Sequence, residues 1–147
     1  MRRGPVALLA GATLVAGCGS TPLSVTQLRN SATQICESAT RQAGRIPSPS
    51  SPSRSVAFLR SGARIMSYEL RGLRALRPPG SLSALYASTV RDFSQQLNFV
   101  EQSVQQMAHG EDPVITVKLL QGQLGPIESK EQTEWDGLGV PACTAQQ

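Results

Sequence analysis

Apolar residues recur at intervals of three and four over long stretches of the chain, which is the spacing of one face of an α-helix. Four stretches carry such a face: residues 24–43, 54–77, 82–109 and 113–138. In the second stretch the apolar positions step by 3, 4, 3, 4 and 3 along Val56, Leu59, Ala63, Met66, Leu70 and Leu73. The pattern therefore predicts four amphipathic helices.

Helix-ending residues separate these four stretches. Pro-Ser-Pro-Ser-Ser-Pro-Ser occupies residues 47–53, Pro-Pro-Gly occupies 78–80, and Gly-Glu-Asp-Pro occupies 110–113. Proline removes a helical amide donor, and glycine favours the turn that follows a helix. Short connections place consecutive helices side by side, so the predicted fold is all-α, an antiparallel up-down four-helix bundle that spans residues 24–147.

Polar side chains stand where each helix is expected to begin, because they can accept hydrogen bonds from the first free amides. The candidate N-caps are Ser24 or Thr26, Ser53 or Ser55, Ser81 or Ser83, and Asp112. After the fourth helix, Gly139 is placed for a left-handed turn, with Val140 folding back onto the helix and Pro141 preventing its continuation.

The fourth helix is the least regular, because Gly122, Gly125 and Pro126 interrupt it. Pro126 is expected to kink it. If the apolar face keeps its phase, Glu131 lies within that face and needs a partner, such as an arginine of the second helix. If the kink shifts the phase, Glu131 is exposed, and this is the arrangement we expect. The alternative architecture is a pair of helical hairpins with a mobile fourth helix.

The first 17 residues have the three parts of a secretory signal. Met-Arg-Arg is a basic start, residues 6–16 are apolar or small, and Ala16 and Gly17 precede Cys18. The apolar run is shorter than the roughly 20 residues that span a hydrocarbon core. We therefore expect a cleaved signal peptide at residues 1–17 and no permanent membrane span.

The sequence Val15-Ala16-Gly17-Cys18 resembles the lipobox of bacterial lipoproteins. This resemblance implies transfer of a diacylglyceryl group to the Cys18 thiol, cleavage after Gly17, and a lipidated tether at residues 18–23. It also implies that the protein is anchored at the extracytoplasmic face of the cell membrane. The alternative is an ordinary secretory signal in which Cys18 happens to lie near the cut.

If Cys18 carries lipid, Cys36 and Cys143 remain as an even pair in an oxidising compartment. They predict a disulfide that closes a loop of 143 − 36 = 107 residues, and the alternative is two free buried thiols. Cys36 in the first helix, Pro-Pro before the third, and Leu-Gly-Val-Pro-Ala-Cys after Trp135 resemble small helical lipoproteins of actinobacteria. That resemblance implies a disulfide-stapled domain and brings no established active site.

Composition and charge narrow the choice of partner. Aromatic residues make up only 4% of the chain, which favours helices packed through aliphatic side chains over a sheet. Between residues 29 and 91 there are ten arginines against two acids, and from residue 92 onward two lysines against eight acids. We interpret this as attraction between the two halves. Nucleic acid is not expected as a partner, since no aromatic side chains are interleaved with the arginines.

Four of the arginines form a stripe beside the apolar face of the second helix: Arg60, Arg64, Arg71 and Arg74. The stripe either pairs with acids of the later helices or is solvated, with its aliphatic stems covering apolar surface. Alternatively it contacts anionic lipid headgroups, to which each basic residue near the surface contributes about 1 kcal/mol.

Few residues suggest enzymatic chemistry. His109 is the only histidine, and the chain has no G-x-S-x-G, no phosphate-binding glycine loop and no metal-binding motif. We therefore expect no catalytic residues, no metal and no cofactor.

The leading hypothesis is a membrane-anchored extracytoplasmic lipoprotein that acts as an interaction or cell-envelope module, with an envelope protein as partner. The alternative is binding of lipid or a small apolar ligand in the bundle core, where a kink could open space near Met66, Phe93 and Trp135.

Overall fold

The computed structural model describes residues 21–144, so the predicted signal peptide and Cys18, the predicted lipidation site, lie outside the described residues. Throughout the described range the regular elements are helical. They are α1 (Val25–Ala43), α2 (Ser55–Ala75), α3 (Ser83–Ala108) and α4 (Pro113–Leu138). The predicted helix ends differ from these by at most two residues, as at residue 77 against Ala75, and the all-α class is confirmed.

The helices alternate in direction. Each packs on the next in chain order, α1 on α2, α2 on α3, and α3 on α4. The amide of Leu23 donates to the carbonyl of Arg77 at 2.8 Å, which places the start of α1 beside the end of α2. The Tyr86 hydroxyl, at the start of α3, donates to the carbonyl of Leu73 at 2.8 Å. Its ring meets Trp135 of α4 edge-on, with centroids 6.3 Å apart. The predicted up-down bundle is therefore confirmed.

The predicted apolar faces meet in one core. Its fully buried large side chains are Leu28 of α1, Leu73 of α2, and Trp135 and Leu138 of α4. From the central helix α3 it receives Phe93, Leu97 and Val100. Burying one leucine or phenylalanine side chain contributes about 1.5–3 kcal/mol, so this core supplies the main stabilisation of the bundle.

The end of the chain closes the bundle against α1. Gly139 adopts the left-handed conformation (φ 73°), and the amide of Val140 donates back to the carbonyl of Trp135, as the sequence predicted. The 3-10 turn Pro141–Cys143 then packs on α1. The side chains of Cys36 and Cys143 are joined as a disulfide, with their Cα atoms 5.0 Å apart. This is the pairing of cysteines that the sequence predicted.

The helix starts are only partly as predicted. Ser24 caps α1 through a reciprocal capping box with Gln27, and the Asp112 side chain accepts from the first amides of α4. The serine caps predicted for α2 and α3 are wrong. These helices follow the 3-10 turns Pro52–Arg54 and Gly80–Leu82, and they begin without a side-chain cap. The backbone of each turn is already helical, so a carbonyl of the turn accepts a hydrogen bond from the first amide of the helix.

Helix α4 stays helical from Pro113 to Leu138, through Gly122 and Pro126, and packs along α3. It is therefore part of the bundle, which differs from the alternative of two separate hairpins. Among the helices of residues 21–144, none combines the length and apolar character needed to cross a membrane.

Candidate functional site

A cavity of about 200 Å³ lies between α2, α3 and α4. It lies beside Met66, Phe93 and Trp135, the three residues near which a kink was considered able to open space, and Val100 and Leu124 complete its apolar wall. At about 30 Å³ for each water, the space equals roughly six or seven water molecules. It is therefore large enough for a small organic molecule and below the usual range of drug-sized pockets.

The polar wall of the cavity is acidic. It is formed by Glu69 of α2, Gln96 of α3, and Glu128 and Glu131 of α4. Glu131 is only 2% exposed, and the side-chain amide of Gln96 donates to its Oε2 atom. Its other oxygen, Oε1, has no hydrogen-bond partner anywhere within residues 21–144. Glu131 therefore lines the cavity and carries a buried carboxyl oxygen that no described protein group satisfies.

This placement of Glu131 corrects the sequence prediction, which expected the side chain to be exposed. Because α4 stays helical through Pro126, its apolar face keeps the same phase, and Glu131 falls between Leu124 and Trp135 on the buried side. An arginine of α2 was the candidate partner if the phase was kept, but the hydrogen bond to Glu131 comes from Gln96 of α3.

Further acids lie next to Glu131. Asp92 of α3 and Glu134 of α4 are 8% and 9% exposed, and Glu69 of α2 is 5% exposed. The Nζ atom of Lys130 lies 2.6 Å from Oδ2 of Asp92 and 3.6 Å from Oε1 of Glu134. Four buried carboxyl groups from three helices therefore meet at one level of the bundle, with Lys130 at their outer edge. We call Glu69, Asp92, Glu131 and Glu134 the acidic cluster.

Two members of this region have shifted acidities. Burial, and after it the charges of Asp92 and Glu134, raise the pKa of Glu131 to about 8, although the hydrogen bond from Gln96 lowers it. The Glu131 carboxyl is therefore mostly protonated at neutral pH. The hydrogen bond to Asp92 raises the pKa of Lys130, which keeps this lysine positively charged.

The predicted arginine stripe lies elsewhere. All four of its members are exposed on α2. Arg74 donates to the Ser94 hydroxyl at 2.8 Å, and the Arg71 guanidinium lies 5.2 Å from the centre of the Tyr68 ring. Arg60 and Arg64 line a shallow groove between α2 and α3, together with Arg71 and Glu101. Lys130, which is not part of the stripe, pairs with the buried acids Asp92 and Glu134. The contact of the stripe with anionic lipid stays a prediction.

His109 is the exposed C-cap of α3 and does not line the cavity. In the part of the chain that the structure describes, no group of three or more His, Cys, Asp or Glu side chains is arranged to hold a metal ion. The acidic cluster is thus a set of neighbouring carboxyl groups without the convergence of a metal site.

Sequence reasoning missed Asp92, Gln96 and Glu134. One signal was available, because Asp92 and Gln96 are four residues apart and directly precede the apolar pair Phe93 and Leu97. Residues four apart share a helix face. A central helix buries two faces, one against each neighbour, so polar residues beside the apolar stripe of α3 are buried as well.

No protein-family model, curated protein or solved structure matches the chain. The molecule is therefore characterised by its own features, an all-α bundle with a disulfide at its end and an acid-lined cavity between three helices.

Proposed function

We propose that the protein is a lipid-anchored extracytoplasmic protein whose helical bundle binds a small ligand in the cavity between α2, α3 and α4. One observation carries the binding part of this proposal: Oε1 of Glu131 lacks a hydrogen-bond partner among residues 21–144 while its side chain borders that cavity. Leaving a buried polar atom unsatisfied costs about 1–3 kcal/mol. A ligand that forms a hydrogen bond there would recover this free energy.

The lipid anchor is proposed from the N-terminal sequence. The lipobox-like Val15-Ala16-Gly17-Cys18 supports acylation of Cys18, and the tether of residues 18–23 extends at most about 20 Å. Leu23 is bonded to Arg77 at the end of the bundle where α1 begins. That end would then face the lipid headgroups, with the long axis of the bundle extending away from them.

Binding is proposed rather than catalysis because of the side chains around the cavity. Its described lining consists of carboxyl, amide and apolar groups together with the disulfide-bonded Cys143, and includes neither histidine nor a hydroxyl group. Nucleophilic catalysis usually pairs a hydroxyl or thiol nucleophile with a base such as histidine.

A second candidate function is the binding of an envelope protein, and a different observation favours it. Val114, Ile115 and Leu119, at the start of α4, are 61%, 61% and 63% exposed. Large apolar side chains that are exposed together often mark a contact surface. Helix α4 has 26 residues and rises about 39 Å. This patch therefore lies at the opposite end of the bundle from the tether, where a partner beyond the membrane could reach it.

Two experiments test the proposal. Replacing Cys18 with Ser should move the protein from the membrane fraction to the soluble fraction, and retention in the membrane would contradict the lipid anchor. Native mass spectrometry of the protein purified from its own cells should show a bound small molecule. Leu124→Trp, which adds an indole to the cavity wall, should remove that mass, and the same mass in both proteins would contradict binding in the cavity.

A further inference from the structure

We propose that the ligand of the cavity is a small protonated amine with an apolar body, and that Glu131 is its anionic partner. This inference rests on the proposed function and adds the chemical class of the ligand.

When it is ionised, Glu131 favours a ligand group that donates hydrogen bonds and does not need to accept any. Gln96 holds Oε2 and fixes the plane of the carboxyl group, while Oε1 has no partner within residues 21–144. The side chain is 98% buried, since 2% is exposed, and it lines the cavity. An ammonium group offers three N–H donors and no acceptor, so it complements a site whose polar atoms are mainly carboxyl oxygens.

The charged groups around the cavity favour a positively charged ligand. Glu69 faces it from α2, Asp92 lies on α3, and Glu134 lies on α4 one turn from Glu131. Lys130 contacts Asp92 and Glu134, and its side chain is 56% exposed at the outer edge. Lys130 is therefore shared between Asp92 and Glu134. A cation bound inside the cavity would be attracted to them, whereas a carboxylate ligand would be repelled.

The apolar wall limits the size and shape of the rest of the ligand. The rings of Phe93 and Trp135 and the thioether of Met66 border the same space. Aromatic faces attract cations as well as apolar groups. A volume of about 200 Å³ admits a single ring or short chain next to the ammonium group and excludes larger lipids.

Binding of an ammonium ion should release a proton. The Glu131 carboxyl is mostly protonated in the free protein because of its burial and the neighbouring acids Glu69, Asp92 and Glu134. When the ammonium ion binds, the O–H bond of Glu131 breaks, the proton passes to the buffer, and the ligand keeps its own protons. The amount of bound amine should therefore rise between pH 6 and pH 8.

The test uses the mature chain with Cys18→Ser and three compounds that share one ring and one further carbon: benzylamine, benzyl alcohol and benzoate. Isothermal titration calorimetry at pH 7.5 in two buffers of different ionisation enthalpy gives affinity and proton release. We expect benzylamine to bind at least tenfold more tightly than the other two compounds, with release of a proton. Glu131→Gln should reduce its affinity at least tenfold, while Glu101→Gln, the same change at an exposed site of α3, should not.

The outcomes separate this inference from the proposed function. If benzyl alcohol binds as tightly as benzylamine, or Glu131→Gln leaves the benzylamine affinity unchanged, the amine assignment is overturned and cavity binding stands. If none of the three compounds binds, the amine assignment is overturned, while native mass spectrometry with Leu124→Trp decides separately on binding in the cavity. Should Glu131→Gln fail to fold, the comparison of benzylamine with benzyl alcohol on the parent chain still decides, and Leu124→Trp shows whether the cavity is the site.

Discussion

The Nε atom of Arg29 lies 2.8 Å from the carbonyl oxygen of Leu138 and joins α1 to the end of α4 across 109 residues. The last carbonyls of a helix have no intrahelical partner, and a cation there also interacts favourably with the helix dipole. The same guanidinium lies against Gly139, where the chain turns back toward α1. This one side chain therefore links the first helix to the closing turn.

Replacing Arg29 with Ala should lower the free energy of unfolding by about 1–2 kcal/mol, because one charge-assisted hydrogen bond to a helix end is lost. Urea unfolding followed by circular dichroism measures this change. Arg41→Ala is the matched control, since Arg41 is exposed and forms only a 3.7 Å pair with Glu37 within α1. It should change stability by no more than about 0.5 kcal/mol. Equal effects of the two variants would contradict a special role for Arg29.

Replacement by alanine should have opposite effects at Gly139, which follows α4, and at Gly122, which lies inside it. Gly139 has φ 73°, and a Cβ there would lie 2.7 Å from Nε of Arg29, so Gly139→Ala should destabilise the protein by about 1–2 kcal/mol. Gly122 is inside α4, and a Cβ there meets nothing within 4 Å. Gly122→Ala should stabilise by about 0.5–1 kcal/mol. Thermal unfolding of the two variants checks both signs, and a stabilising Gly139→Ala would contradict the strain argument.

The disulfide should contribute strongly, because it closes a loop of 107 residues. In the chain-entropy account, a loop of this length corresponds to about 4–5 kcal/mol. The variant with Cys36→Ser and Cys143→Ser should therefore show a much lower urea midpoint than the Cys18→Ser parent. Alkylation before and after reduction, read by intact mass, checks the bond itself. Two thiols that react before reduction would contradict it.

The stability of the fold should fall as pH rises from about 4.5 to about 8. In the unfolded chain Glu131 loses its proton near 4.5, whereas burial keeps it protonated in the folded protein up to about 8. Between these values the folded state binds more protons, so raising the pH favours unfolding, by at most about 1.4 kcal/mol for each unit. Above pH 8 this contribution is constant.

Glu131→Gln should remove that contribution, since the amide does not titrate. Compared with its parent, the variant should be relatively more stable at pH 8.5 than at pH 5, as measured by urea unfolding at both values. Glu101→Gln, at an exposed position on α3, should follow its parent at both pH values. A pH profile that Glu131→Gln leaves unchanged would contradict the assignment.

The fold could be predicted from the sequence because each helix repeats its apolar residues at one regular spacing and ends at proline or glycine. The stripe from Val56 to Leu73 and the break at residues 78–80 needed no tertiary information. The helix starts of α2 and α3 were less predictable. There the 3-10 turns, formed by backbone hydrogen bonds, replaced the expected serine caps.

The acid-lined cavity was predictable only in its apolar half. Met66, Phe93 and Trp135 belong to regular stripes, so their convergence followed from packing the helices together. Burial of Glu131 depended on whether α4 keeps its phase through Pro126, which the local sequence left open. Its hydrogen bond from Gln96 depended on the rotation of α3 relative to α4. The periodicity of one helix does not show how that helix is rotated against its neighbours, so these contacts could not be predicted.

The closing turn also sets the order in which the protein can be completed during synthesis. Val140 is 1% exposed in the core, and the Cys143 sulfur lies against the carbonyl of Ala32 in α1. A ribosome makes α1 first and residues 140–143 more than a hundred residues later. Part of the apolar face of α1 therefore stays exposed to solvent until the last turn has been synthesised. A chain stopped before Val140 would keep that face exposed and be a ready substrate for chaperones and proteases.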